Sequence, residues 1–364
     1  MSRKSPVDAT VVSARALVGV VSGKVATYLS GREQTPGRSS MIKPLHEQVV
    51  VITGASSGIG RETALLLAAK GAQVVAAARG EEALDTLIAE ITDNGGEATA
   101  FPTDVSKWSE VSALATFARE RYGRIDTWVN NAGVLIVGEF EKTSIKEARA
   151  LFDTNFWGEL YGMKAALPVM RAQGYGTIIN VTSVTAKRAF PLMSIYSASK
   201  AALNRLHEGV LTEIKTPDIH ICTIMPATID TPLYDHARTK EGLTPKGAPP
   251  LYPPSEVANA IAECAVRPRR EMYAGRAGAL MAISNEIMPG VLDKLLAATG
   301  RTALLKKDAP KTSRDADNLD APLGPETDAT TGGQRGRRTE LVELVPRILL
   351  GVVALFAARR LVRR

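Results

Sequence analysis

The sequence predicts an α/β protein built on a doubly wound parallel sheet, and three observations carry that expectation. Short apolar runs alternate with longer segments of helical periodicity from Gln48 to Arg270. The runs are apolar at consecutive rather than alternate positions, as in strands buried on both faces. Right-handed crossovers between such units put helices on both sides of one sheet.

The elements follow in order. "QVVVITG" reads as the first strand and "GRETALLLAAKG" as its helix; "AQVVAAAR" and "EEALDTLIAEI", then "EATAFPTDV" and "WSEVSALATFARERYG", repeat the unit, and "IDTWVNNAG" is a fourth strand. "GTIINVTS" and "IHICTIMPA" are further strands, with "LFDTNFWGELYGMKAALPVMRAQG" and "IYSASKAALNRLHEGVLTEI" as long helices. Beyond Thr231 the Pro- and Gly-rich "PLYDHARTKEGLTPKGAPPLYPPS" suits a mobile substrate cover, around residues 232–255. A helix begins near Ser255, and residues 275–300, rich in Gly, Ala and Met, suggest no definite shape. One domain is therefore expected over residues 46–300. Residues 306–340 are polar with few aliphatic side chains, so 301–340 is expected to be a disordered linker.

The chain has 364 residues and a formal net charge of +7. That charge sits at the ends: residues 1–40 carry +4, residues 41–300 carry −2 and residues 301–364 carry +5. A near-neutral core argues against a nucleic-acid groove, whereas basic ends favour an anionic surface. Residues 1–45 form an extension, read either as an amphipathic helix or as sequence upstream of a start at Met41; Arg15 and Lys24 interrupt its apolar run, and no secretory cleavage site is evident. At the other end, the apolar run Ile348 to Ala358 is 11 residues long, short of the roughly 20 needed to span a bilayer. Extending it back includes Glu343, Pro346 and Arg347, and the chain closes on "RRLVRR". Residues 341–364 are expected to lie in a membrane interface with arginines toward anionic headgroups, or to dock on another subunit. The expected location is cytoplasmic, with peripheral contact at the membrane's cytoplasmic face. The cysteines Cys222 and Cys264 match no CxxC pattern and read as buried free thiols. The four histidines show no ligand spacing, so no metal is expected.

"TGASSGIG", Thr53 to Gly60, directly follows a strand and opens a helix. Gly54 permits the tight turn, Gly58 lets the backbone approach a pyrophosphate, Gly60 allows close helix packing, and the helix N-terminus supplies free N–H donors. At the end of the second strand, where an acid would bind a ribose 2′-hydroxyl, stand Ala78 and Arg79. A guanidinium there attracts a 2′-phosphate, so NADP(H) is favoured over NAD(H).

With these motifs the chain resembles the short-chain dehydrogenase/reductase family, whose sheet is a Rossmann fold. "TGASSGIG" matches the family's cofactor loop, "NNAG" its sheet-stabilising motif and "YSASK" its YxxxK pair, Tyr196 and Lys200; Asn155 and Ser183 fill its other two catalytic positions. The resemblance covers about residues 46–270. It implies cofactor contacts from Ser56, Ser57 and Ile59 in the loop, from Asp104 and Val105 at the adenine, and from Asn131, Ala132 and Gly133 on the adenosine ribose side. Pro226, Thr228, Ile229 and Thr231 follow the sixth strand, Thr231 reaching the nicotinamide carboxamide. One departure is Pro226-Ala227, where the family has Pro-Gly; a Cβ at Ala227 resists positive φ, which puts the neighbouring turn in question.

The resemblance also implies the roles. Tyr196 is the general acid/base, its phenolate favoured by the neighbouring Lys200 ammonium together with the charge of the oxidised nicotinamide, and Lys200 holds the nicotinamide ribose. Ser183 and Tyr196 bind the substrate oxygen, and Asn155 holds a water that links Lys200 to solvent. The expected activity is NADP-dependent carbonyl/alcohol interconversion on CH–OH groups. Val184, Phe190, Leu192, Met193, Leu233 and Tyr234 would form an apolar pocket for a lipophilic substrate. A homo-oligomer is expected. The alternative is a non-catalytic NADP-binding regulator or scaffold at a membrane, which the retention of Asn155, Ser183, Tyr196 and Lys200 opposes.

Overall fold

The computed structural model describes residues 42–310, 317–322 and 329–334; most of the N-terminal extension and all of 341–364 lie outside the described residues. Among those residues the main sheet has seven strands, all parallel, in the order β10-β7-β6-β4-β1-β2-β3. Six are the strands expected: β1 (Val49–Thr53), β2 (Gln73–Ala78), β3 (Glu97–Pro102), β4 (Thr127–Asn130), β6 (Gly176–Val181) and β7 (Ile219–Pro226). The seventh, β10 (Glu271–Ala274), extends the β7 edge and was not assigned from sequence. Its four residues are too few to show a period.

Helices cover both faces because the central strands are apolar on both. On one side α1 (Gly58–Ala69), α2 (Glu81–Asp93) and α7 (Pro254–Val266) pack on Val50, Ile52, Val74 and Ile224; on the other α3 (Trp108–Tyr122), α5 (Gly158–Gln173) and α6 (Ser194–Glu213) pack on Val51, Val75, Trp128 and Ile178. The stretch expected as one long helix is three: α4 (Ile145–Phe152), a π-helical turn (Asp153–Trp157), then α5. Residues 275–304 form α8 (Arg276–Ile287) and α9 (Pro289–Leu304). Cys222 on β7 and Cys264 on α7 are buried free thiols; 42 residues apart in sequence, they hydrogen-bond to each other, which pushes the Cys222 thiol well up.

The stretch around 232–255, expected as a mobile cover, is pinned by pairing. β5 (Ile136–Val137) pairs with β8 (Arg238–Thr239), and β9 (Leu243–Pro245) pairs with β11 (Leu305–Pro310). Within the stretch, Ala237, Ala248 and Leu251 are buried. The described parts of 301–340, expected as free linker, also rest on the domain: β11 is a strand, Leu319 is buried, and Arg238 pairs with Asp317 at 2.9 Å and Asp320 at 2.7 Å. Average polarity hid these few anchors, since acids that look solvated in sequence meet a particular arginine.

At the carboxyl end of the sheet, Trp128 Nε1 donates to Asn130 Oδ1 and Asn130 Nδ2 to Asn180 Oδ1, both at 2.8 Å, tying β4 to β6. Gly162 of α5 lies against this ladder: a Cβ there would sit 2.0 Å from Asn130 Oδ1 and 2.7 Å from Trp128 Nε1. Gly162→Ala is therefore expected to destabilise the fold by about 1–3 kcal/mol, read as a lowered urea midpoint at unchanged m-value.

Candidate active site

The sheet reverses winding between β1 and β4, and a crevice opens where their carboxyl ends diverge, the usual ligand position in open α/β sheets. Gly54 (φ +68°) and Gly58 (φ +54°) hold the loop after β1 in the left-handed region, as expected. Gly60 does not reach the cavity wall. A Cβ on it would meet Gly54 O at 2.0 Å, so its part is the close packing of α1 beneath the loop. Asn131 Nδ2 donates to the carbonyls of Thr53 and Gly54, each at 3.1 Å, and Thr53 Oγ1 accepts from Asn131 N. Asn131 thus fixes the loop as well as lining the crevice.

One continuous cavity runs from Arg79 to Tyr234, with the loop residues Ser56, Ser57, Gly58 and Ile59, then Asp104, Val105, Ala132, Gly133, Pro226, Thr228, Ile229 and Thr231 in its walls. These are sequence-predicted cofactor residues, brought together at the carboxyl ends of five strands, β1, β2, β3, β4 and β7. The donors and cradle suit a dinucleotide: unpaired glycine Cβ positions at the turn, a helix N-terminus, and a guanidinium at the far end. Burial pushes the Arg79 guanidinium down, with Asp104 and Asp320 opposing. Ala227 is absent from the positive-φ residues; its Cβ fits against Gly275 and Gly278, so the Pro-Ala departure is absorbed by small neighbours.

Ser183, Tyr196 and Lys200 line the same cavity. Ser183 caps a short 3-10 turn, its Oγ accepting from Thr185 N at 3.1 Å. Lys200 is buried and its Nζ donates to Val181 O at 3.1 Å. Burial raises the Tyr196 phenol to about 12, against a lowering by the Ser183 hydroxyl, and the Glu159 carboxylate adds to the rise. Lys200 is itself pushed down by burial, partly offset by Glu159. Desolvation outweighs the neighbouring cation here. Glu159 is buried too, paired with His207 Nε2 at 2.6 Å.

Asn155 lies one layer behind the wall. The π-helical turn rotates it inward, where its Oδ1 accepts from Val134 N at 2.8 Å and its Nδ2 donates to Val134 O at 3.0 Å. A Cβ on Gly133 would stand 3.5 Å from Asn155 Oδ1 and 4.0 Å from Lys200 Nζ, so Gly133 covers Asn155 and lies beside Lys200 in the lining of the crevice.

Val184, Phe190, Met193, Leu233 and Tyr234 line the cavity together with Tyr196; Leu192 does not. It has φ +63° and packs among Met193, Tyr234 and their neighbours, its carbonyl accepting from Gly138 N. Ala248, Leu304 and Asn318 complete the wall and were missed. The adjacent leucines Leu304 and Leu305 were the available signal for Leu304.

Fold and site together define a nicotinamide-nucleotide-dependent oxidoreductase. Residues 48–242 match the short chain dehydrogenase family, and the chain belongs to it. It is 36% identical over 330 residues to the uncharacterized oxidoreductase YxnA of Bacillus subtilis (strain 168), covering 88% of this chain and 92% of that one. A short chain dehydrogenase/reductase from Burkholderia phymatum in complex with NAD superimposes with a TM-score of 0.61 at 26% identity, over 67% of this chain and 95% of that one. An alcohol dehydrogenase from the archaeon Thermococcus sibiricus complexed with 5-hydroxy-NADP gives 0.55 at 28% identity, over 62% and 95%.

Tyr196 is neutral in the fold to about 12, whereas an unfolded tyrosine ionises near 10. The unfolded chain then loses its proton first, so this contribution is intact below about pH 10 and is lost as pH rises toward about 12. Tyr196→Phe is expected to make the alkaline decline of the urea midpoint shallower between those limits.

Proposed function

We propose that the chain is an NADP(H)-dependent oxidoreductase interconverting a lipophilic carbonyl compound and its alcohol, with Tyr196 as general acid/base. The observation that carries this reading is that Ser183, Tyr196 and Lys200 line the same crevice as the glycine loop. The nicotinamide, when bound, supplies or accepts the hydride. The protein does the rest. Ser183 Oγ–H donates to the substrate oxygen and fixes it beside the phenol. Tyr196 O–H gives that oxygen a proton in reduction and withdraws it in oxidation. A phenol held neutral by burial is prepared for the donating direction at neutral pH. Lys200, kept in place by Val181 O, presents its nitrogen beneath Gly133 to the nicotinamide ribose. Asn155 clamps the Val134 backbone and so sets the position of Gly133.

Preference for NADP(H) is supported by Arg79 at the end of β2 with no acid beside it at Ala78. A lipophilic substrate is supported by Val184, Phe190, Met193 and Leu233 around the catalytic end. Trp108 and Trp157 stay exposed near Tyr161 on the α3 and α5 side, an apolar face that supports a homo-oligomer. Residues 341–364 are proposed to contact the cytoplasmic face of a membrane peripherally; among the described residues no helix is long and apolar enough to cross one.

A panel of ketones and secondary alcohols assayed with NADPH and NADP tests the activity. Tyr196→Phe should lower turnover by about 100- to 10,000-fold while the Kd for NADPH, followed by nucleotide fluorescence, changes little; retained turnover removes Tyr196 from the mechanism. The wild-type chain should bind NADPH more tightly than NADH, and the reverse order overturns the reading of Arg79.

A further inference from the structure

Cofactor-facing donors in the crevice are already engaged, and their acceptors come from the chain's own C-terminal part. Arg79 Nη2 donates to the carbonyl oxygen of Asn318 at 2.5 Å and to that of Ala321 at 3.3 Å. The amide of Gly58, the first residue of α1, donates to Ala329 O at 3.0 Å. A guanidinium and a helix-terminal amide are groups that a dinucleotide's phosphates would take. Neutral carbonyls hold them instead.

The segment is built to stay there. Arg238 grips it through Asp317 and Asp320, Leu319 is buried among Met193, Tyr234 and Leu304, and Asn318 N donates to His236 O at 3.1 Å. Further along, Gly332 lies so close to Thr231 that a Cβ would meet Thr231 O at 2.6 Å, and Gln334 N donates to Asp230 Oδ1 at 3.0 Å. With Asn318 in its wall the cavity measures about 220 Å³, below the roughly 300–1,000 Å³ of ordinary small-molecule sites. A dinucleotide and a substrate need more room than that.

We propose that residues 317–322 and 329–334 are a built-in competitor for the dinucleotide, held in its crevice by Arg79, Gly58 and Arg238 and displaced when the cofactor binds. This rests on the cofactor reading above. A strap that closes over a bound cofactor would leave the phosphate-binding donors free and present its own donors inward. Here acceptors from the segment meet those donors, the arrangement of a competitor. Apparent affinity is then the intrinsic affinity multiplied by the fraction of chains in which the segment has let go. Anything that draws residues 317–322 and 329–334 away would switch the enzyme on.

The test is the full-length double variant Asp317→Asn, Asp320→Asn, which keeps size and polarity but removes both ion pairs to Arg238. Its Kd for NADPH and for NADH is measured by nucleotide fluorescence against the wild type. The expected result is binding tighter by roughly three- to tenfold for whichever nucleotide binds. In the wild-type chain, hydrogen exchange in peptides covering 317–322 and 329–334 should speed up at saturating nucleotide. Equal or weaker binding by the variant, or exchange slowed by nucleotide, overturns the competitor while leaving the cofactor reading standing. No binding of either nucleotide by either protein overturns both.

Discussion

At the carboxyl ends of β1 and β4 two backbones touch. A Cβ on Gly54 would stand 2.7 Å from Ala132 Cα, and one on Gly60 would overlap Gly54 O. The contact exists only because both positions lack a side chain, and the Asn131 amide bridging the Thr53 and Gly54 carbonyls holds it closed. Everything downstream depends on that closeness. It aims the N-terminus of α1 into the crevice, and it fixes where β4 hands over to Gly133, which covers Asn155 and lies beside Lys200.

The second constraint is dryness. Tyr196, Lys200, Glu159 and His207 all lie in the interior, and the electrostatics there are set by lost hydration before any pairwise attraction. The phenol is kept neutral and the ammonium is weakened, so the cation does not acidify its helix neighbour as the i, i+4 spacing alone suggests. A buried Glu159 paired to His207 keeps a negative charge near enough to act on both groups. The site is thereby biased toward a phenol that gives a proton rather than one that has lost it.

Much of this was legible in the residues. Continuous apolar runs identified six of the strands of the main sheet, because a strand covered on both faces has no polar alternation to obscure it. The glycine spacing identified the loop, because positive φ and close approach leave few other residue types. Less was legible where structure depends on partners remote in sequence. β10 is four residues long and exists through its pairing with β7. The π-helical turn that buries Asn155 has no periodic signature distinct from the helices on either side. The stretch 301–340 reads as linker by average polarity, yet Leu304, Leu305 and Leu319 find an apolar hollow, and two of its acids find Arg238.

The sequence by itself determined six strands of the sheet and the glycine loop, each written in a local pattern of a few residues, and its resemblance to the family singled out Asn155, Ser183, Tyr196 and Lys200. Only the tertiary structure decided what those groups experience. That Asn155 serves the Val134 backbone, that burial overrules Lys200 at Tyr196, and that Asn318, Ala321 and Ala329 occupy the donors of Arg79 and Gly58 all arise from contacts across the fold. Desolvation and long-range hydrogen bonding are properties of an enclosed space, and a linear order of residues does not specify its walls until the chain has folded around them.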